Sequence, residues 1–237
     1  MAAPIEELAW AETPMGVVSL RRRWEPSRQV DVYEVKLDDE FLMSSLFTVA
    51  EEALAHLALG AVSGTDLDVV VGGLGLGYTA RAVLEDDRVR SLTVVEAVGE
   101  VIGWHERGLL PDAAMLTSDP RARLHHGDFF AMVDGDRAPG VEEPGQLVDA
   151  VLVDIDHTPL NVLAPSHASF YTVAGLALLA RHLRPGGAFG LWSDDPPDEE
   201  FQRRLTDVFS DAEAHVVRFA NFYTGSESAS TVYVARR

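Results

Sequence analysis

The chain has 237 residues, 47% hydrophobic and 24% charged, which is a globular composition long enough for one large α/β domain with a small appendage. Nineteen Lys and Arg against 38 Asp and Glu leave a formal charge of -19, a field that repels phosphate backbones and anionic bilayers, so neither nucleic acid nor a membrane is an expected partner. With no cysteine, disulfides, thiolate-held zinc, iron–sulfur clusters and thiol catalysis are excluded.

Met1 to Trp10 carries Glu6 and Glu7 where a secretory leader has basic residues and then an apolar run, so the expected location is the cytoplasm. Gly16 to Trp24 and Asp31 to Leu37 read as strands joined by the turn-forming Glu25-Pro26-Ser27-Arg28, a small antiparallel β unit within residues 1–45. Thr48 is placed to cap a helix in which Leu54, Leu57 and Leu59 share a face, with Glu51 at the capping-box position. Gly60 to Thr65 ends it, and residues 46–66 read as a helical connection.

Residues 67–237 alternate strand with helix, the pattern of a parallel sheet covered on both faces. Strands are expected at Asp68 to Val71, Ser91 to Glu96, Arg123 to His126, Asp149 to Asp154 and Ala188 to Ser193. Helical periodicity covers Tyr78 to Leu84, Val98 to Arg107, Phe170 to Leu183 and Glu199 to Phe209, with Arg184-Pro185-Gly186-Gly187 closing the third. His215 to Ala220 and Thr231 to Ala235 are expected as an antiparallel hairpin at the sheet edge, and Asp134 to Gly145 and Asp194 to Glu199 as surface loops.

Ligands of open α/β sheets bind at the carboxyl ends of the strands, so the residues following each apolar run carry the information. Val69-Val70-Val71 is followed by Gly72-Gly73-Leu74-Gly75-Leu76-Gly77, where glycines permit a tight turn and bring backbone N–H groups close to a ligand at a helix start. The spacing departs from the dinucleotide fingerprint, because position 78 is Tyr. Glu96 is placed to accept hydrogen bonds from ribose hydroxyls, and Asp128 from an adenine amino group with Phe129 beside it; together with the turn they point to an adenosine site. Val153-Asp154-Ile155-Asp156-His157 then puts two carboxylates and an imidazole at the adjoining rim, suited to holding an amine and moving its proton. Asp154, Asp156 and His157 are also metal-ligand types, but no second ligand cluster accompanies them and no metal is expected. Phe170-Tyr171 and Trp192-Ser193-Asp194 are candidates for pocket walls or for ordinary core and rim, and adjacent His125 and His126 point to opposite faces of their strand and read as structural.

Gly72 to Gly77, Glu96, Gly127-Asp128, Asp149 to Asp154 and Pro185-Gly186-Gly187 resemble the class I S-adenosylmethionine-dependent methyltransferase fold, a Rossmann-like doubly wound sheet. Thr13-Pro14-Met15-Gly16 and Glu52-Ala53-Leu54-Ala55-His56-Leu57 extend the resemblance to the spermidine synthases over nearly the whole chain. It also looks like a bacterial spermidine-synthase-like subgroup that keeps Gly-Gly-Leu-Gly-Leu-Gly and Val-Asp-Ile-Asp-His. The resemblance implies a donor nucleoside held by Gly73, Gly75, Gly77, Glu96, Asp128 and Phe129, catalysis by Asp154 with Asp156 and His157 beside it, and a substrate contact from Tyr171. The donor is S-adenosylmethionine or its decarboxylated form, the acceptor a small molecule such as a polyamine, and the assembly a homodimer. Three positions depart from the family pattern. Gly75 stands where the family has the aspartate that holds the donor's amino group, Ala50 replaces a tyrosine, and His157 falls where a second aspartate is expected unless Asp156 substitutes. Aminopropyl transfer to an amine is the leading expectation. Methyl transfer is the alternative, with Gly75 leaving room for the amino acid tail, and a nucleoside-binding protein without turnover is the third.

Overall fold

In the computed structural model, which describes residues 5–237, the chain forms a four-stranded and a seven-stranded sheet. Of the segment Met1 to Trp10, the first four residues lie outside those described. β1 (Glu6–Thr13), β2 (Gly16–Glu25), β3 (Val30–Leu37) and β4 (Glu40–Ser44) pair in chain order, each antiparallel to the next. β2 and β3 match the sequence expectation, whereas β1 and β4 add to it. β1 buries none of its residues fully and β4 is five residues long, so neither carries a clear alternation.

The larger sheet contains β5 (Leu67–Gly72), β6 (Val89–Glu96), β7 (Ala122–His126), β8 (Val148–Val153), β9 (Leu183–Ser193), β10 (Asp211–Asn221) and β11 (Ser226–Arg236). Their order is β10-β11-β9-β8-β5-β6-β7, with β5 to β9 parallel and the last two strands antiparallel at one edge. This is the expected doubly wound sheet with its edge hairpin. Successive side chains of a strand point to opposite faces, and the core divides accordingly. Val69 and Val71 pack with α1 (Val49–Gly60), α2 (Tyr78–Leu84) and α3 (Gly99–Glu106), while Val70 packs with α5 (Phe129–Val133), α6 (Val173–Ala180) and α7 (Glu199–Val208). Val18, Leu20 and Val35 of the small sheet join the first of these clusters, so the small sheet closes over the same face that α1 covers. No helix among the described residues is long and apolar enough to cross a membrane.

Two local expectations are corrected. The helix expected over Phe170 to Leu183 is only Val173–Ala180, preceded by a 3₁₀ turn at Pro165–Ser169, and Arg184-Pro185-Gly186-Gly187 bulges within β9 instead of closing the helix. Long-range bonds decide this: Gly186 N–H donates to the Arg237 carbonyl (3.0 Å), Arg237 N–H donates to the Gly187 carbonyl (2.9 Å), and Arg184 pairs with Asp68 and Asp149. The capping box at Thr48 is also absent. The Thr48 hydroxyl donates to Glu52 Oε1 (2.9 Å) and caps no backbone N–H, so Glu51 is released from the helix start.

Candidate active site

A cavity of about 670 Å³ opens at the carboxyl ends of β5, β6 and β8, walled on its other side by the small sheet and α1. Its floor is the glycine turn. Gly73 sits at φ +92°, and a Cβ there would lie 2.1 Å from the Asp154 carbonyl oxygen, so only glycine lets β5 leave the sheet against β8. The Gly73 N–H donates to the Val95 carbonyl (2.9 Å), and Gly77 N–H closes the turn on the Leu74 carbonyl (2.7 Å) at the start of α2. Behind the turn, buried His105 of α3 lies with Nε2 2.9 Å from the Gly75 carbonyl. Burial lowers its pKa, and the resulting neutral ring donates Nε2–H to that carbonyl.

Glu96 ends β6 with one carboxylate oxygen accepting from Leu74 N–H (2.9 Å) and the other from Val98 N–H (2.8 Å). Desolvation raises its pKa although those backbone bonds oppose the shift. Each oxygen retains a second lone pair, so the group that shapes the turn is also able to accept from vicinal hydroxyls. Asp128 caps α5 by accepting from Ala131 N–H (3.1 Å), which is what turns its exposed carboxylate toward the cavity rim, and Phe129 packs against Gly72 below it.

Asp154 follows β8 and lines the cavity, and its Oδ2 accepts from the buried Thr79 hydroxyl of α2 (2.7 Å). Desolvation raises its pKa to about 6, with the Thr79 bond opposing the shift. Glu51, released from the helix cap, lines the same cavity as Asp154. Its residue is 8% exposed, its carboxyl accepts from its own backbone N–H and pairs with no side chain among the described residues, and burial followed by the charge of Asp154 pushes it up to about 8. The described lining contains no Lys or Arg. Carboxylates enclosed together without a cation call for one from a ligand.

Other expected residues part company here. Gly73, Gly75, Glu96, Asp128, Phe129, Asp154 and His157 line the cavity, whereas Gly77 lies behind it. Asp156 is 1% exposed and outside the cavity, its oxygens taken by His167 Nδ1, the Tyr171 hydroxyl and Leu163 N–H, all within 2.7 to 2.8 Å. Asp156, expected to be catalytic, and Tyr171, expected to contact substrate, are thus placed outside the cavity lining, in a buried network that holds the loop after β8. Period-2 alternation would place residues 154 and 156 alike, but β8 ends at Val153 and the bonds to Leu163, His167 and Tyr171 draw Asp156 away. His157 remains at the rim, paired with Glu40 Oε1 of β4 (2.8 Å). Trp192 and Asp194 wall the cavity and Ser193 does not. The sequence reading missed Glu51, Met43, His105 and His167 as parts of the site. Glu51 carried a signal, being an acidic residue on the apolar side of an otherwise clean helical stripe.

No protein-family model matches the chain. It is 28% identical over 218 residues to polyamine aminopropyltransferase 2 of Pseudomonas aeruginosa, covering 85% of this chain and 58% of that protein. It is 30% identical over 137 residues to the spermine synthase of Arabidopsis thaliana, covering 58% of this chain and 34% of that protein. The crystal structure of spermidine synthase from Thermotoga maritima superposes on 97% of this chain and 72% of its own at 18% identity, with a TM-score of 0.72. The chain is similar to spermidine synthases in sequence and in fold. A second structure, spermidine synthase in complex with the transition state analogue AdoDATO, superposes equally well, with a TM-score of 0.72. The chain thus spans 58% and 34% of the two curated relatives while sharing the fold of the two crystal structures.

Proposed function

We propose that the protein transfers an aminopropyl group from decarboxylated S-adenosylmethionine to a small amine, a polyamine being one such acceptor. Asp154 carries the reading: it lines a cavity with no Lys or Arg among its described lining residues, and burial raises its pKa to about 6. Glu96 and the glycine turn would take the ribose, Asp128 and Phe129 the adenine, and His157 the rim of the acceptor end. The acceptor enters as an ammonium and gives its proton to Asp154. The nitrogen lone pair then attacks the methylene carbon bonded to the sulfonium, and the carbon–sulfur bond breaks with its electrons on sulfur, leaving neutral methylthioadenosine. Residues 67–237 would hold the nucleoside, and residues 1–45 and 46–66 would wall the acceptor. A cytoplasmic homodimer accords with the family likeness.

The methyl-transfer alternative needs room beside Gly75 for an amino acid tail. Met43 of β4 fills that space, its Sδ lying 2.4 Å from where a Cβ on Gly75 would be. Calorimetric titration with decarboxylated S-adenosylmethionine, S-adenosylmethionine and methylthioadenosine tests the assignment. Preference for the decarboxylated donor, with methylthioadenosine released when an amine is added, is the expected result. Preference for S-adenosylmethionine would overturn aminopropyl transfer, and binding of none of the three would remove the adenosine site itself.

A further inference from the structure

The donor named above carries two positive centres, the sulfonium and a primary ammonium three carbons away, and the protein must meet the second with an acceptor group. The glycine turn has none to offer. Gly75 has no side chain, and Met43 Sδ occupies the adjoining space, fixed there by the Leu76 N–H at 3.2 Å. Asp154 is committed to the acceptor amine and already accepts from Thr79. Asp128 is tied to the start of α5 on the adenine side, and Asp194 is solvent-exposed at the end of β9.

Glu51 is the remaining carboxyl group in the described lining that is buried and has no side-chain partner among the described residues, its own backbone N–H being its one hydrogen-bond donor. It comes from the first turn of α1, whose first-turn carbonyl at Glu51 lies 3.3 Å from the same Thr79 hydroxyl that donates to Asp154. That shared hydroxyl keeps the two carboxyl-bearing segments side by side at the start of α2, next to the turn. A buried carboxyl group beside a second one, with no Lys or Arg in the described lining, ionises only at a cost, and a bound ammonium offsets that cost.

We propose that Glu51 binds the ammonium of the donor's aminopropyl arm and thereby selects the decarboxylated donor over S-adenosylmethionine. Resting on the aminopropyl-transfer reading, the assignment gives the selection a physical basis: the extra carboxylate of S-adenosylmethionine would be brought toward Glu51 and Asp154 with no cation between them. Glu51 then does for the donor what Asp154 does for the acceptor, and the two ammonium groups are kept apart by having one carboxylate each.

The test is calorimetric titration of wild type, E51Q and E51D with decarboxylated S-adenosylmethionine and with methylthioadenosine, which keeps the nucleoside and lacks the ammonium. In E51Q the decarboxylated donor should weaken by about 10–100-fold while methylthioadenosine binds as in wild type, and E51D should recover part of the loss. Glutamine keeps the shape of the side chain and removes its ability to ionise against an ammonium, and unchanged methylthioadenosine affinity confirms that the cavity is intact. Equal affinities for the donor in wild type and E51Q would overturn the proposal, as would an equal loss for both ligands. A raised KM for the acceptor with donor affinity unchanged would also overturn it, by moving Glu51 to the other substrate. Failure of the wild-type protein to bind either nucleoside is a different outcome, which fells the proposed function and this assignment together.

Discussion

Asp154 and Asp156 lie two residues apart after β8, and the fold gives them opposite environments. Asp156 is saturated by three donors in a buried loop, whereas Asp154 has one hydroxyl partner and opens on the cavity. Substituting Asp154→Asn keeps the side chain's size and its ability to accept from Thr79 but removes the proton acceptor. Turnover should fall by about 10²–10⁴-fold with nucleoside affinity nearly unchanged, as read by steady-state kinetics beside calorimetry. Glu96 is different in kind, because it shapes the turn and faces the ribose at once. Glu96→Ala should weaken methylthioadenosine by about 10-fold or more, and unaltered affinity in a titration would refute the ribose assignment. These two carboxylates were legible in the sequence because each directly ends an apolar strand. Glu51 was not read as part of the site, since a helix start offers an acidic residue a plausible local partner in the capping box, and only the packing of α1 shows that it goes elsewhere.

At the scale of elements, the turn between β5 and α2 is the part of the molecule with least tolerance. Gly73 combines a left-handed φ of +92° with a backbone oxygen 2.1 Å from any added Cβ. Gly73→Ala should destabilise the fold by about 1–3 kcal/mol or more, measured by urea denaturation, and should abolish nucleoside binding in whatever remains folded. A stable variant with normal affinity would show that the turn relaxes without moving Glu96 or Asp154. The regular strands and the longer helices followed from periodicity. Short α4 (Ala113–Thr117) and α5 did not, because five residues complete little more than one turn. The stretch from Arg184 to Gly187 was misread for a different reason: Pro and Gly after an apolar helix are sound stop signals locally, and hydrogen bonds to the distant Arg237 override them.

Across the whole molecule, the enclosed carboxylates couple the site to stability. Glu51 and Asp154 have folded pKa values raised to about 8 and about 6, above their ordinary values, so folding favours their protonated forms. Their contribution is fully present at low pH and is lost as pH rises through those values; for Glu51 the opposing charges are Asp154, Glu52 and Asp194. The ligand-free protein should therefore melt at a higher temperature near pH 7 than near pH 9. E51Q should flatten that slope, and an unchanged slope in a pH series of thermal melts would contradict the raised Glu51 pKa. Below the ordinary histidine range the trend weakens, because buried His105, whose pKa is lowered, favours the folded state only while neutral. Composition and periodicity alone determined the fold class, the alternation of the longer strands and helices in the large sheet, and the positions that follow β5, β6, β7 and β8, because those depend on local alternation and on where apolar runs stop. Tertiary structure alone decided which carboxylates share the cavity. Burial and partners are set by segments far apart in sequence: α1 turns Glu51 inward, the loop after β8 withdraws Asp156, and β4 places Met43 against the turn.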